Sequence, residues 1–405
     1  MGVRARHWAL AWALSLSAPL LRAESEMPMA SAPDSGAEAE SAAPAREEDP
    51  VLRFAAATEL LAAGHGPEAL AAYKTLSEDA PQFQLGQQFY QQLRTRLKDE
   101  VRVGTYEVLA REARLRLSSE TAVPPPGTVP DVLLQLADHI QHAIVVNLSS
   151  ARLYVLENDK GQLKLLRNQY AGMGSNGYGK QLPGDRRTPL GVYQITGWIA
   201  GDKLPPLYGS GAFPLDYPNV WDQFRLRGGH GIWLHGVPPG MDTRPPQSSE
   251  GCVTMANADL LALRPYITPG QTPVVLSDAV NWVTPDTLAS EREAVLSRLE
   301  AWRQAWSAID TDAYLGFYAE DFSTPDMSRD AFAAYKQRVN AQKQDIDVQL
   351  DELSVYRYPD PDARMMLAEF SQHYRSDNYR SDSRKLQFWR QDSDGLWRIV
   401  REETR

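Results

Sequence analysis

The one cysteine of this 405-residue chain, Cys252, stands in Ser249-Glu250-Gly251-Cys252, downstream of a histidine, His235, that is followed by Gly236. A thiol attacks a carbonyl only as thiolate, and an imidazole is the usual base that makes it one. Cys252 is therefore the candidate nucleophile and His235 the candidate general base and acid. No second acid is required, because a backbone carbonyl, here that of Gly236, can hold the imidazole in the right tautomer. The N–H groups around Gly251 and Cys252 are the candidate donors to the oxygen of a tetrahedral intermediate. Ser249, Tyr208 and Thr254 are the candidate substrate-binding residues. A lone cysteine is most often a small buried hydrophobe. Its setting argues otherwise, since Pro245-Pro246-Gln247-Ser248-Ser249-Glu250-Gly251 is a poor core sequence.

These residues need elements to carry them. Trp233 and Leu234 read as the end of a buried strand, so His235 emerges at a sheet rim, and the proline-rich stretch Val237 to Pro246 reads as an irregular loop walling a cleft. Asn257 reads as the N-cap of a short helix from Ala258 to Arg264, closed by Pro265. Its partial positive charge would help lower the thiol pKa. Upstream, Ala143 to Leu148, Arg152 to Leu156 and Leu163 to Tyr170 are β-rich runs, with further strands at Leu190 to Ile195, Gly231 to Leu234 and Pro273 to Leu276. The expectation is a mostly antiparallel β domain. The glycine-rich stretch Tyr170 to Lys180 lacks the spacing of a nucleotide fingerprint and reads as a mobile loop beside the cleft. Tyr208, Phe213, Tyr217 and Trp221 are candidates to line the groove or to fill the core.

Leu234-His235-Gly236, Ser249-Glu250-Gly251-Cys252 and the upstream Gly184-Asp185-Arg186-Arg187-Thr188-Pro189-Leu190-Gly191 together resemble the YkuD-type L,D-transpeptidases, the cysteine enzymes of bacterial peptidoglycan. The chain departs from that pattern in having Glu250 where many members have His, and Thr254 where many have Arg. The resemblance implies acyl transfer at the L-centre of the diamino acid in a tetrapeptide stem, with release of terminal D-Ala. An amine of a second stem would then form a cross-link. Water would instead trim the stem to a tripeptide, and a non-enzymatic wall-binding protein is the third reading.

The remaining segments frame this domain. Arg4 and Arg6 precede an apolar run from Trp8 to Leu21, the layout of a secretory signal peptide, with cleavage after Ala23 or an uncleaved anchor as alternatives. Export to the periplasm or cell envelope follows as an expectation. Residues 24–50, rich in Ala, Ser, Pro and Glu, read as a disordered tether. Residues 51–119 carry apolar positions at three- and four-residue steps, and Pro67 to Pro81 resembles one tetratricopeptide-like helix pair, suited to packing on the next domain or on a second copy as a homodimer. Residues 120–140, with Pro124-Pro125-Pro126-Gly127, read as a stiff linker, and 141–280 as the catalytic domain.

Residues 281–405 begin with an amphipathic helix from Ser290 to Ile309 and a second capped by Ser328. Four strands follow, Ile346 to Val355, Arg364 to Tyr374, Ser383 to Arg390 and Gly395 to Arg401, which makes an α+β domain. It resembles the nuclear transport factor 2-like (NTF2-like) cone. Arg375, Arg380, Arg384, Lys385, Arg390 and Arg398 on its strands are either solvated or a basic face for an acidic sugar or a carboxylate. The whole order of segments is similar to the cell-shape-determining L,D-carboxypeptidases of helical bacteria. With 52 acidic against 42 basic residues and a net charge of −10, no global field favours nucleic acid. One cysteine and scattered histidines point to no metal, and nothing in the pattern calls for a cofactor.

Overall fold

The computed structural model describes residues 49–96, 104–121, 123–241 and 244–405. The expected signal peptide, 1–23, and nearly all of the expected tether lie outside the described residues. Among the described residues no helix is long and apolar enough to cross a membrane.

Four helices come first: α1 (Pro50–Ala62), α2 (Gly66–Asp79), α3 (Gln84–Arg96) and α4 (Gly104–Thr121). The Asp49 side chain caps α1, and the helices bury Phe54, Leu61, Tyr73, Phe89 and Leu109 in a small core of their own. The layer also meets the β domain, where the Arg116 guanidinium lies 5.7 Å from the centre of the Tyr170 ring.

A five-stranded sheet forms the middle of the molecule, in the order Gln162–Tyr170, Arg152–Asp159, His142–Asn147, Pro273–Ser277, Gly191–Gln194. Its inner strands are unbroken apolar runs because both faces are covered. Alternate residues serve opposite cores: Val145, Tyr154 and Val275 face one, while Ile144, Val146, Val155 and Val274 face the other. The second face packs on a smaller sheet in the order Val253–Thr254, Trp233–His235, Gly211–Pro214, Ile199–Ala200. The domain is mostly antiparallel, as expected, with His142–Asn147 and Pro273–Ser277, and Trp233–His235 and Val253–Thr254, among its parallel pairs.

The first face packs on the C-terminal domain through Tyr358, Leu367 and Phe388. In that domain the helix Pro285–Ser307 lies against a six-stranded sheet in the order Tyr318–Ser323, Trp397–Thr404, Arg380–Gln391, Met365–Ser376, Ile346–Tyr358, Leu133–Gln135. Ser328 caps the helix Arg329–Asn340 as its sequence requires. The last strand of this sheet corrects the expectation of a free linker over 120–140. Leu133–Gln135 pairs with Ile346–Tyr358, and Val129–Pro130 pairs with Trp282–Val283. The segment closes an open sheet edge, which satisfies backbone groups that would otherwise be left unpaired.

Candidate active site

Parallel pairing lays the segments that carry the two candidate residues side by side. Leu234 is in register with Val253 and His235 with Thr254, so Cys252, one residue before its strand, lies across from Trp233, two residues before the histidine. The His235 ring is buried, and its Nδ1 is 2.7 Å from the Gly236 carbonyl oxygen. A carbonyl only accepts, so Nδ1 carries the proton and Nε2 presents a lone pair. Burial pushes the His235 pKa down to about 4, against the effect of the Gly236 carbonyl, which raises it. The half-buried Cys252 thiol donates to the Gly231 carbonyl at 3.3 Å. Burial pushes its pKa up to about 11, opposed by a hydrogen bond from the Trp233 backbone. Both groups are therefore neutral at rest near pH 7.

The turn before the cysteine is held from within. Ser249 Oγ donates to the Cys252 carbonyl at 2.6 Å and accepts from the Gly251 N–H at 3.1 Å. The Gly251 N–H, expected to face an oxyanion, is thus engaged within the turn, and Ser249, expected to bind substrate, is buried and holds that turn. Gly251 has φ +129°, and a Cβ there would lie 2.8 Å from the Arg187 carbonyl oxygen, so glycine is required. Thr188, fully buried, ties the upstream motif to this turn: its Oγ1 donates to the Gly251 carbonyl at 2.9 Å and accepts from the Gly174 N–H at 2.9 Å.

Thr254 is also buried, with its backbone paired to Gly172, and so stands outside substrate reach. Tyr208 does reach the site. Its ring centre is 4.9 Å from that of His235 and 5.0 Å from that of Trp233. Of the other groove candidates, Phe213, Tyr217 and Trp221 are core. Trp221 stacks on Phe388 and donates to Asp360 at 3.0 Å, a junction with the C-terminal domain.

Asn257 does not cap its helix, whose N-cap is Ala256. Its Oδ1 instead accepts from the Ser210 and Val237 N–H groups at 2.8 and 3.3 Å, and its Nδ2 donates to the Val237 carbonyl at 2.8 Å. It thus locks the turn after Tyr208 to the chain after His235. The strand Val253–Thr254 separates Cys252 from a helix of only 7 residues, so that helix contributes little to the thiol. The glycine-rich stretch is also pinned: Met173–Gly174 pairs with Gln247–Ser249, and the Ser175 N–H donates to the Ser249 carbonyl at 2.7 Å. The sequence points to Asn257 only as a cap and to Thr188 only as part of a motif, because their work is done across the fold, and it gives no sign of Arg244, whose charge is felt by both His235 and Cys252. Among the described residues no cluster of three histidine, cysteine or carboxylate groups could hold a metal.

The expected basic face of the C-terminal domain is largely neutralised. Arg384 pairs with Glu369, Lys385 with Glu402, Arg390 with Asp321 and Asp392, and Arg398 with Asp392 and Asp394. A cavity of about 780 Å³ opens instead between the helix Arg329–Asn340 and the sheet, lined by Trp306, Tyr335, Lys336, Lys343, Lys385 and Glu402 among others. Lys336 Nζ sits 3.9 Å from the centre of the Trp306 ring, and burial pushes its pKa down to about 7.

Comparison with known proteins agrees with this architecture. Residues 141–276 match the family model of the L,D-transpeptidase catalytic domain, YkuD, and residues 294–403 match that of the Cds6 C-terminal NTF2-like domain. Among solved structures, Bd1075 of Bdellovibrio bacteriovorus is similar at 29% identity and a TM-score of 0.61, over 68% of this chain and 98% of that one. The helical cell shape determining protein Pgp2 of Campylobacter jejuni shares the fold at 24% identity and a TM-score of 0.57, over 71% of this chain and 99% of that one. No curated protein sequence matches. The chain thus carries a domain that matches the YkuD-type L,D-transpeptidase catalytic domain, followed by one that matches an NTF2-like domain.

Proposed function

We propose that the protein cleaves the bond to terminal D-Ala in peptidoglycan tetrapeptide stems by cysteine acyl transfer. The observation that supports this reading is the parallel pairing of the strand that ends in His235 with the strand that follows Cys252, with His235 Nδ1 committed to the Gly236 carbonyl and the lone pair left on Nε2. Nε2 takes the thiol proton as sulfur attacks the carbonyl of the diamino acid's L-centre. The same proton then passes to the leaving D-Ala amine, and the acyl group remains as a thioester on Cys252. Because thiol and imidazole are both neutral at rest, proton transfer accompanies attack rather than preceding it.

Water or a second stem's amine can open the thioester. The order of segments, which resembles that of the cell-shape-determining L,D-carboxypeptidases, favours water, and so trimming of tetrapeptide to tripeptide, over cross-linking. The cavity beside Lys336 is the proposed seat for an acidic sugar or carboxylate of the same polymer.

Mass spectrometry of purified muropeptides incubated with the protein, with Cys252→Ala alongside, tests this reading. Tripeptide monomers and free D-Ala, absent with the variant, are expected. Dimers joined between two diamino acids would replace water with an amine as the acceptor. Unchanged tetrapeptides would overturn acyl transfer altogether.

A further inference from the structure

A peptide whose last residue is the leaving group brings a free carboxylate to the cleft, and some cation should meet it. The YkuD-like pattern has an arginine where this chain has Thr254. Thr254 is buried at 1% exposure, and its Oγ1 is so close to Gly172 that a Cβ on that glycine would lie 2.5 Å from it. The side chain at this position is a buried hydroxyl that carries no charge. The chain must supply its cation from elsewhere.

Three cations surround the cysteine turn. Lys180 is buried and committed, with Nζ 2.7 Å from Asp185 and 3.1 Å from the Leu182 carbonyl. Arg187 donates to the Tyr178 carbonyl at 2.9 Å and is exposed. Arg244 differs from both. It stands in the loop between His235 and Cys252, half-buried, and its Nη2 donates to the Ser248 carbonyl at 3.1 Å. Among the described residues no carboxylate forms an ion pair with it, which leaves most of a five-donor fork available.

The chain from Arg244 onward is anchored to the neighbouring strand and within itself. The Tyr170 hydroxyl donates to the Arg244 carbonyl at 2.8 Å, and Tyr170 carries the Arg116 guanidinium of α4 on its ring. The Met173 N–H donates to the Pro246 carbonyl at 2.6 Å, and Ser248 Oγ donates to the Pro245 carbonyl at 2.8 Å. A rigid mount of this kind suits recognition of one planar anion.

Building on the stem-peptide reading above, we propose that Arg244 is the specificity residue that receives the terminal carboxylate of the leaving D-amino acid. Its place in the loop between the two candidate residues, with no ion-pair partner among the described residues and its backbone carbonyl anchored by Tyr170, assigns it this role.

The test measures binding of a tetrapeptide stem ending in free D-Ala, and of its C-terminal amide, to full-length Cys252→Ala protein by calorimetry. The same pair is measured with Arg244→Gln and Arg244→Lys added, and thermal unfolding checks that each variant is folded. Free acid should bind Cys252→Ala about tenfold or more tighter than amide, Arg244→Gln should reduce that ratio towards one, and Arg244→Lys should restore part of it. A ratio that survives Arg244→Gln, or no preference in Cys252→Ala itself, overturns the assignment of Arg244. Turnover of the tetrapeptide by the protein with Cys252 intact is followed in parallel. A preference lost with Arg244, but with no D-Ala released, would sustain the Arg244 assignment and sink the acyl-transfer reading.

Discussion

A nucleophile and base that are both neutral at rest behave differently from a preformed thiolate–imidazolium pair. With the Cys252 thiol raised to about 11, only a small fraction is thiolate near neutrality, and that fraction grows about tenfold per pH unit. Alkylation of Cys252 by iodoacetamide should therefore climb steadily from pH 6 to 9 without a plateau; a plateau near neutrality would reveal an ion pair. Replacing the base removes proton transfer, so His235→Ala should lower kcat/KM by about 10²- to 10⁴-fold in the D-Ala release assay. Retained activity there would end the proposed role. The buried imidazole also links stability to pH. Its folded pKa of about 4 lies below the unfolded value, so the unfolded chain binds the proton first as pH falls. Stability is full above about pH 6.5 and declines towards pH 4, by a loss on the order of 3 kcal/mol. His235→Gln, which cannot be charged, should lose less stability than the parent over that window in urea melts.

At the level of elements, the site depends on short strands that have little stability of their own. Trp233–His235 and Val253–Thr254 are brief segments placed by Asn257, Thr188 and the pairing of Gly172 with Thr254. Asn257→Ala removes three hydrogen bonds and leaves the Val237 carbonyl without its side-chain donor, a cost of about 2 to 4 kcal/mol. It should also loosen the turn carrying Tyr208 and the chain beyond His235, so kcat/KM should fall at temperatures where the variant is still folded. Circular dichroism melts beside D-Ala release separate the two effects. A variant with lowered Tm but full activity would mean that Asn257 holds the fold without aligning the base.

Across the whole molecule, catalytic and NTF2-like domains share one core. Tyr154, Val192 and Val275 pack with Tyr358, Leu367 and Phe388, and strand Leu133–Gln135 crosses from one domain into the other's sheet. At the same junction buried Arg227 stands between Asp222 at 3.6 Å and Asp360 at 3.5 Å. The two domains should unfold in a single calorimetric transition. Arg227→Ala, which strands two buried carboxylates, should destabilise both together by about 3 kcal/mol or more. Two separate transitions, in parent or variant, would contradict a common core.

Much of this was legible in the chain itself. Continuous apolar runs, such as Ala143 to Leu148, announce strands covered on both faces, and the caps and periodicity after residue 284 announce helices leading into a sheet. Local chemistry fixes such features, since propensity, capping and periodicity act within a few residues. The cysteine, the histidine and their flanking glycines were visible for the same reason. What the sequence could not disclose depends on partners far along the chain. The side chain of Asn257 is free to cap a helix until the fold brings Ser210 and Val237 within reach. The N–H of Gly251 is a free donor until Ser249 turns back to it. A proline-rich spacer is a linker until an open sheet edge recruits it. Residue types determined which chemistry was available, and only tertiary packing decided which polar groups, like the Gly251 N–H and the Asn257 amide, were already satisfied.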